Sequence, residues 1–538
     1  MIFAAPANAP SAPKKPVTLT VHGIERTDEY AWLRADNWQA VFRDSTLLDP
    51  EIRTHLEAEN AYQQALMADT GDLQKTLFGE MKGRIKEDDS SVPVKDGPFA
   101  YGVSYVTGGQ YPRYFRTPRD GGDAHIILDG DMEGGSKDYF SLGGVEHSHD
   151  HMKLIWSYDD AGSEFYSVRI RDLAAGRDTD DLIENTGGGG VFDSTASGLF
   201  YTLLDENHRP VAIRYHLLGS AVEDDVTIYE EADPGFFMDV HGSLLNDYIF
   251  ISINDHETSE IRMIPATDPL AEPKIIAPRE TGVQYSVCEA GDRLFILTNK
   301  DAKDFKICEA PSNDPRPENW TELVPHKAGR LILSVSAYRD HMVRLEREDG
   351  LPRIVIRDRK LGVEHEVAFA EEAYSLGFQG AGEYDTEVVR FTYSSMTTPS
   401  QTYDYNMRTR ERTLLKSQEV PSGHNSEDYV TRRVMAVSHD GELVPVSLVY
   451  RKETKLDGSA PLLLYGYGAY GVSIPSGFNT SILSLVDRGF VYAVAHIRGG
   501  KERGYRWYDA GKREHKPNTF KDFIAAAQYL IKEKYCAP

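Results

Sequence analysis

The chain of 538 residues is poor in cysteine, in long apolar runs and in positive charge. Its three cysteines, Cys288, Cys308 and Cys536, are too few and too widely spaced for a disulfide framework or a zinc module, which favours free thiols in a reducing compartment. No run approaches the roughly 18 apolar residues of a membrane span, so we expect no membrane association. The net charge of −25 offers nothing to neutralise phosphates, so nucleic acid is excluded as a partner.

The N-terminal segment also lacks the basic start and the apolar core of a secretory signal peptide. This favours a cytoplasmic protein, with a periplasmic location as the alternative if a leader has been lost. Residues 1–25 are rich in proline and alanine and predict a flexible leader. Residues 26–75 predict a helical arm, with a helix start at Asp49 and Pro50.

Short apolar segments recur along the middle of the chain at intervals of 46 to 54 residues. The seven segments begin at Phe99, Lys153, Leu199, Tyr248, Leu294, Met342 and Val388. A period of this length, with about four short strands in each unit, is typical of the blades of a β-propeller. Residues 76–410 therefore predict a seven-bladed β-propeller. A β-sandwich would not keep so even a period over more than 300 residues, so it is a much weaker interpretation than the propeller.

The last part of the chain, residues 411–538, has α/β character. Apolar runs at 462–464 and 491–497 predict buried parallel strands, and 520–532 has the spacing of a helix. Sheets of this type carry their ligand sites at the carboxyl ends of the strands. We therefore expect functional residues in the two loops that follow these strands.

The first of these loops reads YGYGAYG, at 465–471. Its glycines allow a tight turn, which would hold Tyr465, Tyr467 and Tyr470 in fixed positions. A tyrosine hydroxyl fixed at such a turn can donate a hydrogen bond to a developing oxyanion. On residue types alone, a turn that packs its rings into a domain interface is the simpler interpretation.

The second loop reads HIRGGKERGYRW, at 496–507. The carboxylate of Glu502 could receive a cationic side chain, and Trp507 could stack on its stem or guanidinium. The alternative is a local ion-pair cluster, since Arg498 and Arg506 lie four residues away on either side of Glu502. Residue types alone favour that cluster.

Three histidines alternate in EHSHDHM, at 147, 149 and 151, and on a strand they would share one face. They precede a blade strand, at a place where other blades carry turn residues, so we expect no metal site. The glycine run at 187–190 lacks the lysine and hydroxyl residue of a phosphate-binding loop. No cofactor is expected.

The serine nucleophile motif Gly-x-Ser-x-Gly is absent from the sequence. The nearest candidates, Ser136 and Ser473, lack the second glycine, and neither lies between a buried strand and a helix.

Several of these segments together resemble the prolyl oligopeptidase family of serine peptidases, and within it the oligopeptidase B (protease II) branch. The segments that carry the resemblance are EYAWLR at 29–34, LEAENAY at 56–62, YSSMTTPS at 393–400, VPVSLVYRK at 444–452, PLLLYGYGAYG at 461–471, the DRGF…RGG block at 487–500 and NTFKDF at 518–523. They extend over nearly the whole chain.

The resemblance implies a seven-bladed β-propeller that gates an α/β-hydrolase domain, and cleavage of short peptides after Arg or Lys. By motif position, Tyr467 corresponds to the family's oxyanion-hole tyrosine and Glu502 to the carboxylate that receives the basic side chain. Tyr470 and Trp507 correspond to positions lining the same pocket. Lys501 replaces a glycine of the usual turn, and a cation there could pair with Glu502.

In the family, the catalytic Ser, Asp and His follow a helix like 519–534, and none of the three can be assigned in this chain. We therefore expect an incomplete α/β-hydrolase domain, and a truncated chain that is inactive by itself as a serine-type oligopeptidase. Short basic peptides are the expected partners, and the sequence leaves the oligomeric state open. The alternative is a non-catalytic propeller protein that binds peptides or other partners.

Overall fold

The computed structural model describes residues 8–538, and the first seven residues of the predicted leader lie outside this range. The described part opens with a hairpin of β1 (Val17–Val21) and β2 (Ile24–Asp28). The turn residues His22 and Gly23 have φ angles of 52° and 74°, as a tight two-residue hairpin turn requires. The flexible leader expected up to residue 25 is thus replaced by strands from residue 17, because alternating β-branched residues around this turn outweigh the proline-rich composition.

Three helices form the predicted arm: α1 (Trp38–Arg43), α2 (Pro50–Met67) and α3 (Gly71–Gly83). Helix α2 begins where the sequence predicts, since the Asp49 side chain accepts hydrogen bonds from the first backbone amides and Pro50 occupies the first turn. Arg84, just after α3, donates to Ser484 Oγ at 2.6 Å. The arm therefore packs against the C-terminal part of the chain.

Seven blades of antiparallel strands follow the arm. Blade by blade, the elements are β3 (Val94–Asp96), β4 (Phe99–Ser104), β5 (Arg113–Pro118) and β6 (His125–Asp129), then the helix α4 (Gly130–Gly134); β7 (Ser141–His147), β8 (Lys153–Asp159), β9 (Tyr166–Asp172) and β10 (Arg177–Phe192); β11 (Gly198–Leu204), β12 (Pro210–Leu217) and β13 (Val226–Glu230); β14 (Phe237–Gly242), β15 (Tyr248–Asn254), β16 (Ser259–Pro265) and β17 (Lys274–Ala277); β18 (Tyr285–Glu289), β19 (Arg293–Thr298), β20 (Lys306–Pro311) and β21 (Thr321–Val324); β22 (Arg330–Ala337), β23 (His341–Glu348), β24 (Leu351–Asp358) and β25 (Glu364–Glu366); β26 (Tyr374–Gly380), β27 (Val388–Ser395), β28 (Gln401–Asn406) and β29 (Arg412–Ser417). The long strand β10 pairs in both the second and the third blade, so that each blade has four strands.

The predicted seven-bladed β-propeller is confirmed. Each of the seven apolar segments found in the sequence forms the second strand of a blade. The strands near the middle of the series are apolar on both faces because they lie between neighbouring blades. In β15, Ile249 and Ile251 pack against the preceding blade, and Phe250 packs against Leu294 and Ile296 of the next one. The propeller continues through β29, beyond the predicted limit of 410, since β29 pairs with β28.

The C-terminal part consists of β30 (Tyr429–Val437), β31 (Leu443–Arg451), β32 (Leu462–Tyr465), α5 (Leu483–Val486), β33 (Val491–Ala495), α6 (Tyr505–Asp509) and α7 (Pro517–Lys532). The sheet order is β30-β31-β33-β32, and β32 pairs with β33 in parallel, as predicted. Helix α7 covers one face, where Ala526 and Leu530 pack on Leu448 and Ala493. The α/β character is thus confirmed, and both predicted loops follow the carboxyl ends of the parallel strands.

Within residues 8–538, the helices are all too short or too polar to cross a lipid bilayer.

Candidate functional site

Tyr467 lies just beyond the end of β32, in a turn that is locked against its surroundings. Gly468 has a φ of 67°, and a Cβ atom at this position would lie 2.4 Å from the Thr519 side chain of α7. A Cβ atom at Gly499 would lie 2.0 Å from the Gly468 carbonyl oxygen, so the two loops approach so closely that glycine is needed at both positions. Tyr467 itself is 45% exposed, which leaves its side chain accessible from solvent.

Tyr470 projects from the same turn towards the propeller. Its φ is 53°, its side chain is 68% exposed, and its ring centroid lies 5.5 Å from that of His256. Tyr470 and His256 line a cavity of about 560 Å³ between the propeller and the C-terminal part. This volume lies in the range of small-molecule and peptide sites.

Charged residues tie the two parts together around this cavity. Glu257 of the propeller accepts hydrogen bonds from Lys512 and, at 3.1 Å, from Arg513. Elsewhere in the interface, Asp304 of the propeller accepts a hydrogen bond from the Tyr505 amide at 2.6 Å. The cavity is therefore closed on one side by ion pairs that would have to break if the two parts moved apart.

Glu502 lies in the second loop and is only 3% exposed. Its Oε1 atom accepts a long hydrogen bond of 3.3 Å from the Ile474 amide, and the His496 Nδ1 atom lies 3.7 Å away. Its Oε2 atom accepts no hydrogen bond from residues 8–538. A buried carboxylate oxygen without a donor is costly, so this site favours the entry of a cation or a donor.

The arginines around Glu502 are bound to other carboxylates. Arg498 donates to Asp522 through Nε at 2.8 Å and Nη2 at 2.6 Å, and to Asp440 through Nη1 at 2.5 Å. This hydrogen bond from Arg498 lowers the pKa of Asp440 from 3.8 to about 2.

The remaining two arginines of the loop share one carboxylate. Arg503 and Arg506 both pair with Glu442, at 3.3 Å and 2.9 Å. The local ion-pair cluster considered from the sequence does form, but with these outside carboxylates rather than with Glu502.

Lys501 points away from Glu502. Its Nζ atom lies 4.5 Å from the ring centroid of Tyr505 and 5.3 Å from that of Tyr508. Burial, followed by the nearby charge of Lys512, lowers the pKa of Lys501. No ion pair joins Lys501 to Glu502 in the described part of the chain, so the neutralisation considered from the sequence is not found.

The propeller contributes Arg347 to the surroundings of Glu502. Its guanidinium donates to Ser473 Oγ at 2.9 Å. Burial lowers the pKa of Arg347, and the charge of Glu502 opposes this shift. Arg347 lies on β23, more than 150 residues before Glu502, and no local pattern in the sequence indicates this proximity.

Trp507 is fully buried and presents no surface to a ligand in this conformation. Its Nε1 atom donates to the His496 carbonyl oxygen at 3.0 Å. The guanidinium groups of Arg498 and Arg503 lie 5.6 and 5.3 Å from its ring centroid. Trp507 therefore stacks with the protein's own arginines and holds the loop that carries Glu502.

The four predicted site residues, Tyr467, Tyr470, Glu502 and Trp507, thus do not all line one cavity. Tyr470 lines the cavity at the interface, whereas Tyr467, Glu502 and Trp507 are not among the residues that line it. The three histidines at 147–151 lie at the other end of the propeller, near the last residues of the first strand of several blades.

Comparisons with known proteins agree with this architecture. Residues 10–418 match the family model described as "Prolyl oligopeptidase, N-terminal beta-propeller domain", and residues 476–538 match "Prolyl oligopeptidase family". The chain is 38% identical to dipeptidyl aminopeptidase BI of Pseudoxanthomonas mexicana over 99% of its own length and 75% of that protein. It is 32% identical to protease 2 of Moraxella lacunata, over 98% of its length and 76% of that protein.

Solved structures show the same similarity. Oligopeptidase B from Leishmania major superposes with a TM-score of 0.92 at 31% identity, covering 99% of this chain and 77% of the other. Oligopeptidase B from Trypanosoma brucei, in its closed form with covalently bound antipain, gives 0.91 at 32% identity, covering 98% and 77%. The propeller, the α/β segment and these similarities together show that the chain belongs to the prolyl oligopeptidase family of peptidases.

Proposed function

We propose that this chain carries the peptide-recognition residues of an oligopeptidase B-type serine peptidase, an enzyme that binds short peptides through an Arg or Lys side chain and cleaves after it. In this proposal Glu502 receives the cationic side chain, and the Tyr467 hydroxyl donates to the oxyanion that forms on the scissile carbonyl. Tyr470 borders the peptide at the interface between the propeller and the hydrolase segment.

The observation that carries the proposal is the state of Glu502. The three arginines of its own loop are bound to Asp440, Asp522 and Glu442, and Lys501 points to two tyrosine rings. Glu502 is thereby left with one unpaired and buried oxygen. A guanidinium or ammonium group is the partner that such an oxygen binds most strongly.

Acyl transfer requires a nucleophile and a base in addition to this site. The 538 residues contain no Gly-x-Ser-x-Gly motif. We therefore propose that residues 1–538 by themselves bind basic peptides without hydrolysing them. Hydrolysis of a chromogenic Arg peptide above background would contradict this part of the proposal.

The proposed compartment is the cytoplasm. The three cysteines are unpaired in the described residues, which supports a reducing environment.

Calorimetric titration of the chain with short Arg-containing peptides tests the proposal. We expect Glu502→Gln to weaken binding about 10-fold or more, since a charge-assisted hydrogen bond contributes about 1.5–3 kcal/mol. Glu514→Gln, which alters an exposed carboxylate of the same segment, is the matched control and should bind like the wild type.

Peptides with free and with blocked amino termini should be compared, because one relative is named as a dipeptidyl aminopeptidase. Binding that Glu502→Gln leaves unchanged would favour the alternative, a propeller that binds peptides through other residues.

A further inference from the structure

A group of potential metal ligands lies at the end of the propeller opposite the hydrolase segment. Asp96 is the last residue of β3 in the first blade, and His147 is the last residue of β7 in the second. His151 follows in the next turn with a φ of 61°. One ligand atom of each residue lies within 4.8 Å of the other two, and His147 Nε2 lies 2.8 Å from Asp96 Oδ2.

The two histidines are oriented by Tyr101. The Tyr101 ring stacks on that of His147, with centroids 3.9 Å apart, and its hydroxyl lies 2.8 Å from His151 Nδ1. Metal-binding histidines commonly use their second ring nitrogen in such a bond, which fixes the ring orientation. His151, which is 8% exposed, is thereby left with Nε2 as its ligand atom.

Gly97 makes room for the imidazole ring of His151. A Cβ atom at Gly97 would lie 2.3 Å from His151 Nε2, so any other residue would displace the ring from its present position. Its φ of 55° also favours glycine. The contact with Tyr101 and the glycine at residue 97 are two independent features that hold the His151 ring beside Asp96 and His147, and a simple hydrogen bond between His147 and Asp96 needs neither.

The group opens onto a cavity of about 420 Å³. Asp96 and His147 line this cavity, together with Glu146, His149 and Asp193. A cation held by the three ligands would therefore keep open positions for water or a further carboxylate. Five blades contribute lining residues, close to the ends of the first strand of each, which places the cavity at the mouth of the central channel.

We propose that Asp96, His147 and His151 bind one divalent transition cation, for which Zn²⁺ is the representative probe. Two imidazoles and one carboxylate form a nitrogen and oxygen set that suits Zn²⁺, Co²⁺ or Ni²⁺ rather than Ca²⁺ or Mg²⁺. A tetrahedral site with bonds of 2.0–2.2 Å needs ligand atoms roughly 3.4 Å apart, so the three ligand atoms, which lie within 4.8 Å of one another, would shift to this spacing on binding.

The cation would join the first blade to the second. These two blades belong to separate sheets that share no strand. A metal cross-link between them would stabilise the propeller, because a cation that binds the native state alone shifts the folding equilibrium.

From the sequence we expect no metal site, and the ligands weighed there are the three alternating histidines. The strand ends at His147, so His149 and His151 do not continue its alternation. Asp96, which is 51 residues away along the chain, takes the place of His149 in the group.

The test is titration of the full, EDTA-treated chain with ZnCl₂ by calorimetry, followed by Co²⁺ titration monitored by visible absorption. We expect one equivalent of Zn²⁺, a ligand-field band with Co²⁺, and a rise in melting temperature with either ion. Asp96→Asn and His147→Gln should each weaken binding more than about 10-fold. Circular dichroism checks that the variants are folded.

His149→Ala and His125→Ala are the matched controls. His149 lines the same cavity outside the three-residue group, and His125 is exposed on the first blade. Both should bind like the wild type. Absence of stoichiometric binding, binding unchanged in Asp96→Asn and His147→Gln, or equal loss in the controls would each overturn the proposal.

Discussion

Replacing Asp522 by alanine should destabilise the loop that carries Glu502, because it removes the main partner of a buried guanidinium. Asp522 is fully buried and accepts four hydrogen bonds, from Arg498 N (3.0 Å), Nε (2.8 Å) and Nη2 (2.6 Å) and from Ser438 Oγ (2.6 Å). Removing one partner of a buried ion pair costs about 3–5 kcal/mol. Since Asp440 remains beside Arg498, we expect about 3 kcal/mol, the lower end of this range.

The assay is amide hydrogen exchange of β33, read against β15 of the propeller as an internal reference. Loss of about 3 kcal/mol should speed exchange in β33 about 100-fold and leave β15 unchanged. Asp522→Asn, which keeps one acceptor oxygen, should show a smaller effect. Asp72→Ala, at a fully exposed carboxylate of α3, is the control and should have none. A change below about 1 kcal/mol in Asp522→Ala would refute the reasoning.

Three further predictions concern stability and domain closure. Burial raises the pKa of Glu289 from 4.5 to about 7, so the native state holds a proton that the unfolded chain releases, and the free energy of unfolding should fall as the pH rises from 4.5 to 7. Calorimetry should therefore show Glu289→Gln to be as stable as the wild type at pH 4 and more stable than the wild type at pH 8. An equal difference at both pH values would contradict this prediction. Gly499→Ala should destabilise the C-terminal segment and weaken peptide binding, because its Cβ atom would overlap with the Gly468 carbonyl oxygen. Gly489→Ala is the control: its φ is similar but the space around it is open, so it should cost only the roughly 1–3 kcal/mol of backbone strain. Urea unfolding should show a larger loss of stability for Gly499→Ala than for Gly489→Ala. Glu257→Gln should loosen the contact between the propeller and the C-terminal segment, because Glu257 pairs with Lys512 and Arg513. X-ray scattering at low salt should give a larger radius of gyration for the variant than for the wild type. Identical scattering would show that these two ion pairs do not hold the interface.

The sequence predicts the propeller because the second strand of each blade contributes apolar residues to the buried core. That burial requires an apolar run, and the seven runs recur at an even spacing. The hairpin at 17–28 is not predicted in the same way. Its strands are only five residues long and follow a proline-rich segment, so the composition favours a flexible leader over a hairpin with a two-residue turn. The predicted end of the propeller at residue 410 is too early. Strand β29, which follows it, mixes polar and apolar residues and is largely exposed, so its sequence lacks the apolar run of a buried strand.

The functional loops are predicted by their position after two parallel strands, but their contacts are not. Spacing along the loop suggests Glu502 as the partner of Arg498. In the structure, Arg498 pairs instead with Asp522 and Asp440, which lie 24 and 58 residues away along the chain. The orientation of Lys501 and the burial of Trp507 likewise depend on packing against the rest of the domain. Contacts of this kind carry no local signal in a single sequence.

The role of Glu502 as acceptor of a cationic side chain is tested most directly by a thermodynamic cycle. Affinities of two peptides that differ only in Arg or its neutral analogue citrulline are measured for the wild type and for Glu502→Gln. We expect the wild type to prefer the Arg peptide by 10-fold or more and the variant to show no preference, a coupling of about 1.5–3 kcal/mol. An equal preference in both proteins would contradict the assignment of Glu502.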